Sequence, residues 1–308
     1  MDPSDFSPIG NSVKKMTIGV VVTNYNSWNI ALRCVDAHLR VAGHAIERII
    51  LVDDHSDRQL DRPLHPKVTV IRNDRNLGFV KSVNVGFKNL GSDIVMLFDA
   101  DAYPLMDYSN AVLTRFRSDC KLGVIGFTTY DSNRKITGSC EGEPSALRLV
   151  LGHKLDSWYL KFFVRRPEDR IVYSCAMAVR KAAFDEVAGF DENLDWLDPD
   201  TDLCLKLRSR GWEVEHSSEV TAFHEGGGTA QTTSDRVLRF YKNRWYLLKK
   251  HGKIKSVFIA RNLILLRLRA EYLTLLLLGN LLYRNREIAR DKLLGRRRVL
   301  EYCRQHYR

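Results

Sequence analysis

A chain of 308 residues with 44% apolar and 28% charged residues can build one large α/β domain with an appendage, and its ordinary composition excludes a disordered or fibrous protein. Six cysteines, Cys34, Cys120, Cys140, Cys175, Cys204 and Cys303, include no C-x-x-C pair, which excludes a zinc ribbon or disulfide framework and fits a reducing, cytoplasmic compartment. The net charge of +11 is uneven: residues 236–308 hold 20 Lys+Arg against 4 Asp+Glu, whereas residues 1–235 hold 28 against 33. The basic character belongs to the tail, where it suits nucleic acid or an anionic membrane surface.

Met1 to Lys15 is polar, contains Pro3, Pro8 and Gly10, and lacks the apolar centre of a signal peptide, so it is expected to be a loose leader. No run of 18 or more apolar residues occurs, which argues against a membrane span. Thr17 to Thr23 is a β-branched run of strand length that stops at the turn cluster Asn24-Tyr25-Asn26-Ser27. Ser27 is placed to cap a helix through about Leu39. A second strand, Arg48 to Val52, ends in Asp53-Asp54-His55-Ser56-Asp57, and a third, Val68 to Ile71, leads into Arg72 to Phe79. A helix from about Val80 to Leu90 precedes a fourth strand, Val95 to Phe98. This order predicts a mostly parallel sheet with crossover helices, and ligands of such sheets collect at the carboxyl ends of the strands.

The fourth strand runs into Asp99-Ala100-Asp101. Two carboxylates at the rim of a sheet suit a hard cation carrying a phosphate, although D-x-D also occurs in solvated turns. Polar residues at four successive strand ends favour a nucleotide cleft over an isolated turn. Neither G-x-G-x-x-G after the first strand nor G-x-x-x-x-G-K-[ST] is present, which disfavours a dinucleotide fold and a P-loop.

VVVTNYN, ILVDDHSD, NDRNLGFVKSVNVGF and FDADAYP, in this order and spacing, resemble the amino-terminal half of family 2 glycosyltransferases of the GT-A fold. The resemblance extends through YSCAMAVRKAAFDEVAGFDENLDWLDPDTDLCLKLRSRGW and VTAFHEGGGT, from about Met16 to Thr229. It implies an α/β GT-A domain over 16–235, divided into a nucleotide-binding half (16–104) and an acceptor-binding half (105–235), followed by a basic amphipathic helical extension over 236–308.

The resemblance also implies roles. Thr23, Tyr25 and Asn26 would line the nucleotide pocket, and Asp53 would accept a hydrogen bond from the base. Asn76, Gly78, Lys81 and Asn84, at a helix amino terminus, would lie near the nucleotide-sugar, as would Ala100. Asp99 would face the ribose or the metal, and Asp101 would hold Mn²⁺ or Mg²⁺ on the diphosphate, with His224 approaching the same ion. Gly226 to Gly228 would let a loop close over the donor.

The family pattern G-E-D-x-D-L-C departs here to Asp198-Pro199-Asp200-Thr201-Asp202-Leu203-Cys204, with Asp200 at the position of the general base. Proline is tolerated in the first turn of a helix, so the site can survive the change. Asp198 is then a candidate for the acceptor role of the missing Glu, and Trp196 for stacking on an acceptor sugar, while Asp202 lies among packing positions.

From Arg236 onward the motifs stop. Leu273 to Tyr283 is an apolar run of 11 residues, too short to span, and the tail suits helices that lie on an anionic membrane or pack against the domain. Nucleic acid is disfavoured because no recognition motif accompanies the charge. The expectation is therefore an inverting, metal-dependent transferase using a nucleoside diphosphate sugar and a glycan or lipid-linked acceptor in surface glycan assembly, peripheral on the cytoplasmic face of a membrane. The competing readings are a catalytically silent glycan-binding scaffold and, more remotely, a nucleotidyltransferase.

Overall fold

The computed structural model describes residues 15–137, 139–152, 170–195, 197–224, 233–283 and 285–307. Apart from Lys15, the leader lies outside the described residues, as do Trp196 and the Gly226 to Gly228 loop. The amino-terminal half alternates β1 (Ile18–Asn24), α1 (Trp28–Ala42), β2 (Ile46–Asp53), β3 (Val68–Arg72), α2 (Phe79–Lys88), β4 (Ile94–Phe98) and β5 (Ala102–Pro104). These bounds differ from the sequence expectation by at most three residues at either end. Ser27 stands at the start of α1, but its hydroxyl donates to the Tyr25 carbonyl (3.0 Å) instead of capping the helix.

The chain continues through α3 (Ser109–Ser118), β6 (Leu122–Tyr130), β7 (Cys140–Gly142), α4 (Ala146–Leu151), β8 (Arg170–Val172) and β9 (Ala176–Arg180). Next come α5 (Lys181–Glu186), α6 (Pro199–Ser209) and β10 (Glu213–His224). The eight-stranded sheet has the order β3-β2-β1-β4-β9-β6-β10-β5. Its first four strands are parallel, β9 is antiparallel to both β4 and β6, β10 returns parallel to β6, and β5 closes the edge antiparallel to β10.

Strands covered on both faces need apolar residues at every position, which is why β1, β2 and β4 read as continuous hydrophobic runs. Alternate side chains divide between two cores. Val20, Val22, Leu51, Met96 and Phe98 pack with α1 and α3. Val21, Ile50, Val52, Val95 and Leu97 pack with α2 and α5, where Phe87 stacks on Phe184 at 3.8 Å. Gly86 sets how closely α2 sits on the sheet, because a Cβ there would lie 2.6 Å from Val21.

The basic tail forms three helices, α7 (Thr233–Lys250), α8 (Val257–Leu282) and α9 (Arg286–His306), which share a third core with Leu149 of α4. Trp245 stacks on Tyr307 at 3.8 Å within it. Among the described residues, no helix is long and apolar enough to cross a membrane. One expectation is corrected: α8 is not amphipathic, since apolar residues occupy its outer face as well as its packed face.

Candidate active site

The parallel register brings the strand ends to a common rim. Asn24 pairs with Asp53, and Val22 with Phe98, so Thr23 and Asp99 project from neighbouring strand ends. On the far edge, β10 sets His224 opposite Ala102 of β5. Its imidazole Nε2 therefore lies 3.6 Å from Asp101 and 4.0 Å from Asp99. One ligand atom from each of the three residues falls within 4.8 Å of the others.

Asp99 and Asp101 keep 33% and 38% of their side chains exposed, so the triad opens to the cleft. Burial of its surroundings and the neighbouring Asp101 charge push the Asp99 carboxyl up to about 7. Two carboxylates and an imidazole form a donor set that fits a divalent cation such as Mn²⁺. A cation would remove the repulsion that raises Asp99.

The donor loops are tied among themselves. Asp53 is only 1% exposed, and its oxygens are engaged by Asn24 Nδ2 (3.0 Å), Ser56 and the Arg72 guanidinium. In the structure Asp53 fastens the β1 and β2 loops to β3, and its expected contact with a base would be made from that fastened position. Asp54, which the sequence motif did not single out, organises the next loop. It accepts from Asn73 Nδ2, Leu77 N and Gly78 N, each at 2.8 Å.

Those two backbone donors are the approach to α2, where Gly78 adopts φ 86°, a conformation that favours glycine. Asn76 lies exposed beside them, its side-chain oxygen 3.2 Å from the Gly78 N–H, and Lys81 sits partly exposed in the first turn of α2. Tyr25 presents 51% of its surface to solvent, available for stacking. Asn26 exchanges hydrogen bonds with Asp57 (2.8 and 3.2 Å), which closes the base of this loop. A depression of about 580 Å³ opens beside it, lined in part by Trp28, Asp57 and Arg58. Asn84 is not at the rim. Its amide bridges the backbone of Phe190 (3.0 Å in both directions) and ties α2 to the loop before α6.

On the acceptor side, α6 begins at Pro199, whose missing N–H costs nothing in the first helical turn. Asp198 precedes it at φ 70° and turns into the protein. There Arg244 of α7 holds both its oxygens, Nε to Oδ2 at 2.9 Å and Nη2 to Oδ1 at 2.7 Å. Asp198, expected from the sequence to meet the acceptor, thus forms a buried bidentate ion pair.

Asp200 stands one turn-position further on, partly exposed as a residue. Its Oδ1 is buried and has no hydrogen-bond partner among the described residues. Burial raises its carboxyl to about 7, the charges of Asp99 and Asp198 adding to the rise, against hydrogen bonds from the hydroxyl and backbone of Ser174. Ser174, in the turn between β8 and β9, was not legible as a site residue. The only signal was its place in YSCAMAVR. Asp202 is fully buried, as its apolar neighbours imply, and bonds His251 and Lys250 of the extension at 2.8 Å.

Residues 19–188 match the family model described as "Glycosyl transferase family 2". Over 228 residues the chain is 25% identical to N-acetylgalactosaminyltransferase 6 of Drosophila melanogaster, covering 65% of this chain and 33% of that one. The chain thus spans about a third of that relative's length.

Among solved structures, the mannosyltransferase PcManGT of Pyrobaculum calidifontis, in complex with GDP-Man and Mn²⁺, aligns over 94% of this chain and 86% of its own, with TM-score 0.54 and 13% identity. GalNAc-T7 with UDP, GalNAc and Mn²⁺ aligns over 78% and 52%, with TM-score 0.53 and 13% identity. The fold shared with these transferases is GT-A. With the family model matched over more than half the chain, and the strand-end carboxylates held at its rim, the chain belongs to glycosyl transferase family 2.

Proposed function

We propose that this nucleotide-sugar glycosyltransferase is metal-dependent and inverting, and that it acts on a glycan or lipid-linked acceptor at a cytoplasmic membrane surface. The observation that carries the reading is the opposition of two carboxylate centres. The Asp99-Asp101-His224 triad opens on one side of the cleft, and Asp200, with an orphaned buried oxygen, stands close enough to feel the Asp99 charge.

Asp99, Asp101 and His224 would hold Mn²⁺ or Mg²⁺, which supplies charge neutralisation for a leaving diphosphate. Tyr25 offers a face for the base, with Thr23 and Asn26 at the same loop. Ala100, between the two carboxylates, brings backbone rather than side chain to the sugar. Asp200 Oδ1 receives the proton of the acceptor hydroxyl as that oxygen attacks the anomeric carbon, while Ser174 fixes the carboxylate. One displacement inverts the configuration. The domain limits at 16–235 and 236–308 are part of the same proposal, with the reservation that α7 supplies the acceptor half with its anchoring charges.

Turnover of a panel of nucleotide-sugars with Mn²⁺ or Mg²⁺, with and without chelator, tests the metal, and the anomer of the product tests inversion. Retention of configuration, or turnover unaffected by thorough chelation, overturns the corresponding part. A silent scaffold would turn over no donor under any condition. The departure at Pro199 gives that alternative little support, since the proline starts α6 with Asp200 left in its first turn.

A further inference from the structure

We infer that the outer face of α8 is a membrane-docking surface that lies in the interface of an anionic bilayer without crossing it. The inference deepens the peripheral placement proposed above and is independent of the transfer chemistry. A helix that is apolar on all sides is ordinarily buried on all sides. In α8 only half is covered: Ile264, Leu265 and Leu268 pack against α7 and α9. The other half is bare. Phe258, Ile259, Leu266, Leu273, Leu277 and Leu281 fall within one arc of about 140° at 100° per residue and extend over about 35 Å. Phe258 is 74%, Leu277 78% and Leu281 83% exposed. Exposed Asn262 and Arg269 interrupt the arc in its first half, and the densest apolar stretch runs from Leu273 to Leu281, where Leu276 and Leu278 are exposed as well, a cluster that marks an interaction surface.

Two observations choose the occupant. First, residues 236–308 carry a net charge of +16, with Arg269, Arg286, Arg290 and Arg297 exposed on the helices and Lys255 exposed just before α8. A second copy docked through α8 would bring two such charges together, whereas anionic head groups complement them.

Second, the covered half is pinned by polar side chains. Arg267 bonds Tyr241 and the Leu149 carbonyl (3.2 Å), and Glu271 pairs with Arg296 (2.5 Å). Drawing α8 through a bilayer would break these contacts and bury their charges, so the helix is held parallel to the surface with its leucines down.

The test uses the full chain with phosphatidylcholine vesicles, with and without phosphatidylglycerol, at low and high salt. Co-sedimentation with the anionic vesicles is expected, and the double variant Leu266→Glu/Leu277→Glu should weaken it by about 100-fold or more, since two apolar side chains no longer enter the lipid. Both positions are exposed, so the circular dichroism and donor turnover of the double variant should match the parent. As an orthogonal readout, the tryptophan emission added by Phe258→Trp should shift to the blue on addition of anionic vesicles.

Absence of binding at low salt overturns the inference. So does binding that the double variant retains, or a stable lipid-free dimer that the double variant dissociates. Loss of donor turnover with vesicle binding intact would instead overturn the transferase reading alone.

Discussion

On the donor side of the cleft, the polar loops are secured by partners from the same sheet edge: Asp53 with Asn24, Ser56 and Arg72, and Asp54 with Asn73 and the backbone of Leu77 and Gly78. On the acceptor side, the segment from Asp191 to Asp202 is secured by side chains from a helix outside the sheet. Arg244 takes Asp198, Asn243 takes Asp195 (2.8 Å), and Lys250 takes Asp191 (2.5 Å) and Asp202. The first arrangement sets the loops before any partner domain arrives. The second ties the start of α6, and with it Asp200, to α7, so part of the basic tail braces the segment that carries the proposed base.

The contrast can be broken first at Asp200. Asp200→Asn should lower kcat by about 10³-fold, within the range for loss of a general base, while nucleotide affinity measured by calorimetry stays near the parent value. Asp101→Asn should lower turnover by about 10²-fold and weaken Mn²⁺ binding, with little change in the acceptor KM. A variant that lost acceptor affinity instead would show that the two sides are not separable.

Arg244→Met leaves Asp198 buried without its partner and should cost about 3–5 kcal/mol in denaturant unfolding. Joining it with Asp198→Leu should recover much of that loss. Arg244→Lys keeps the charge but not the bidentate grip, and should lower kcat by about tenfold while the donor KM holds.

pH sharpens the comparison. Asp200 is a base only once deprotonated, so kcat should fall about tenfold per unit as pH drops below its value of about 7. For stability the sign is the opposite. The folded protein keeps protons on Asp99 and Asp200 that the unfolded chain loses near 3.8, so their contribution is full below that value and is lost as pH rises through about 7. Mn²⁺ should therefore raise Tm more at pH 8 than at pH 5. The smallest effect is expected at the donor loop: Asp54→Asn keeps one acceptor of the pair and should cost about 1–3 kcal/mol, read as a few degrees in Tm.

Residues 17–101 were legible because their signals are local. Continuous apolar runs mark strands covered on both faces, and each stops at turn residues that the sheet lines up on one rim. Asp99, Asp101 and Asp200 could be named from that pattern together with a family resemblance. The sequence could not reveal whether a polar residue at the rim faces the cleft or the protein. Asp53, Asn84 and Asp198, each expected at a ligand contact, also bond partners 19 to 106 positions away that no local pattern announces: Arg72, Phe190 and Arg244.

The sequence by itself therefore determined the succession of strands and helices in the amino-terminal half, the D-x-D edge and the basic tail, while the order of strands in the sheet came from the structure. Tertiary structure alone decided that Ser174 holds Asp200, that α7 braces the loop before α6, and that α8 leaves one apolar half uncovered, and it set the distances of His224, expected from the resemblance, to Asp99 and Asp101. The physical reason is that backbone periodicity and turn chemistry act between near neighbours, whereas the burial and pairing of a charge depend on which distant segment is packed against it.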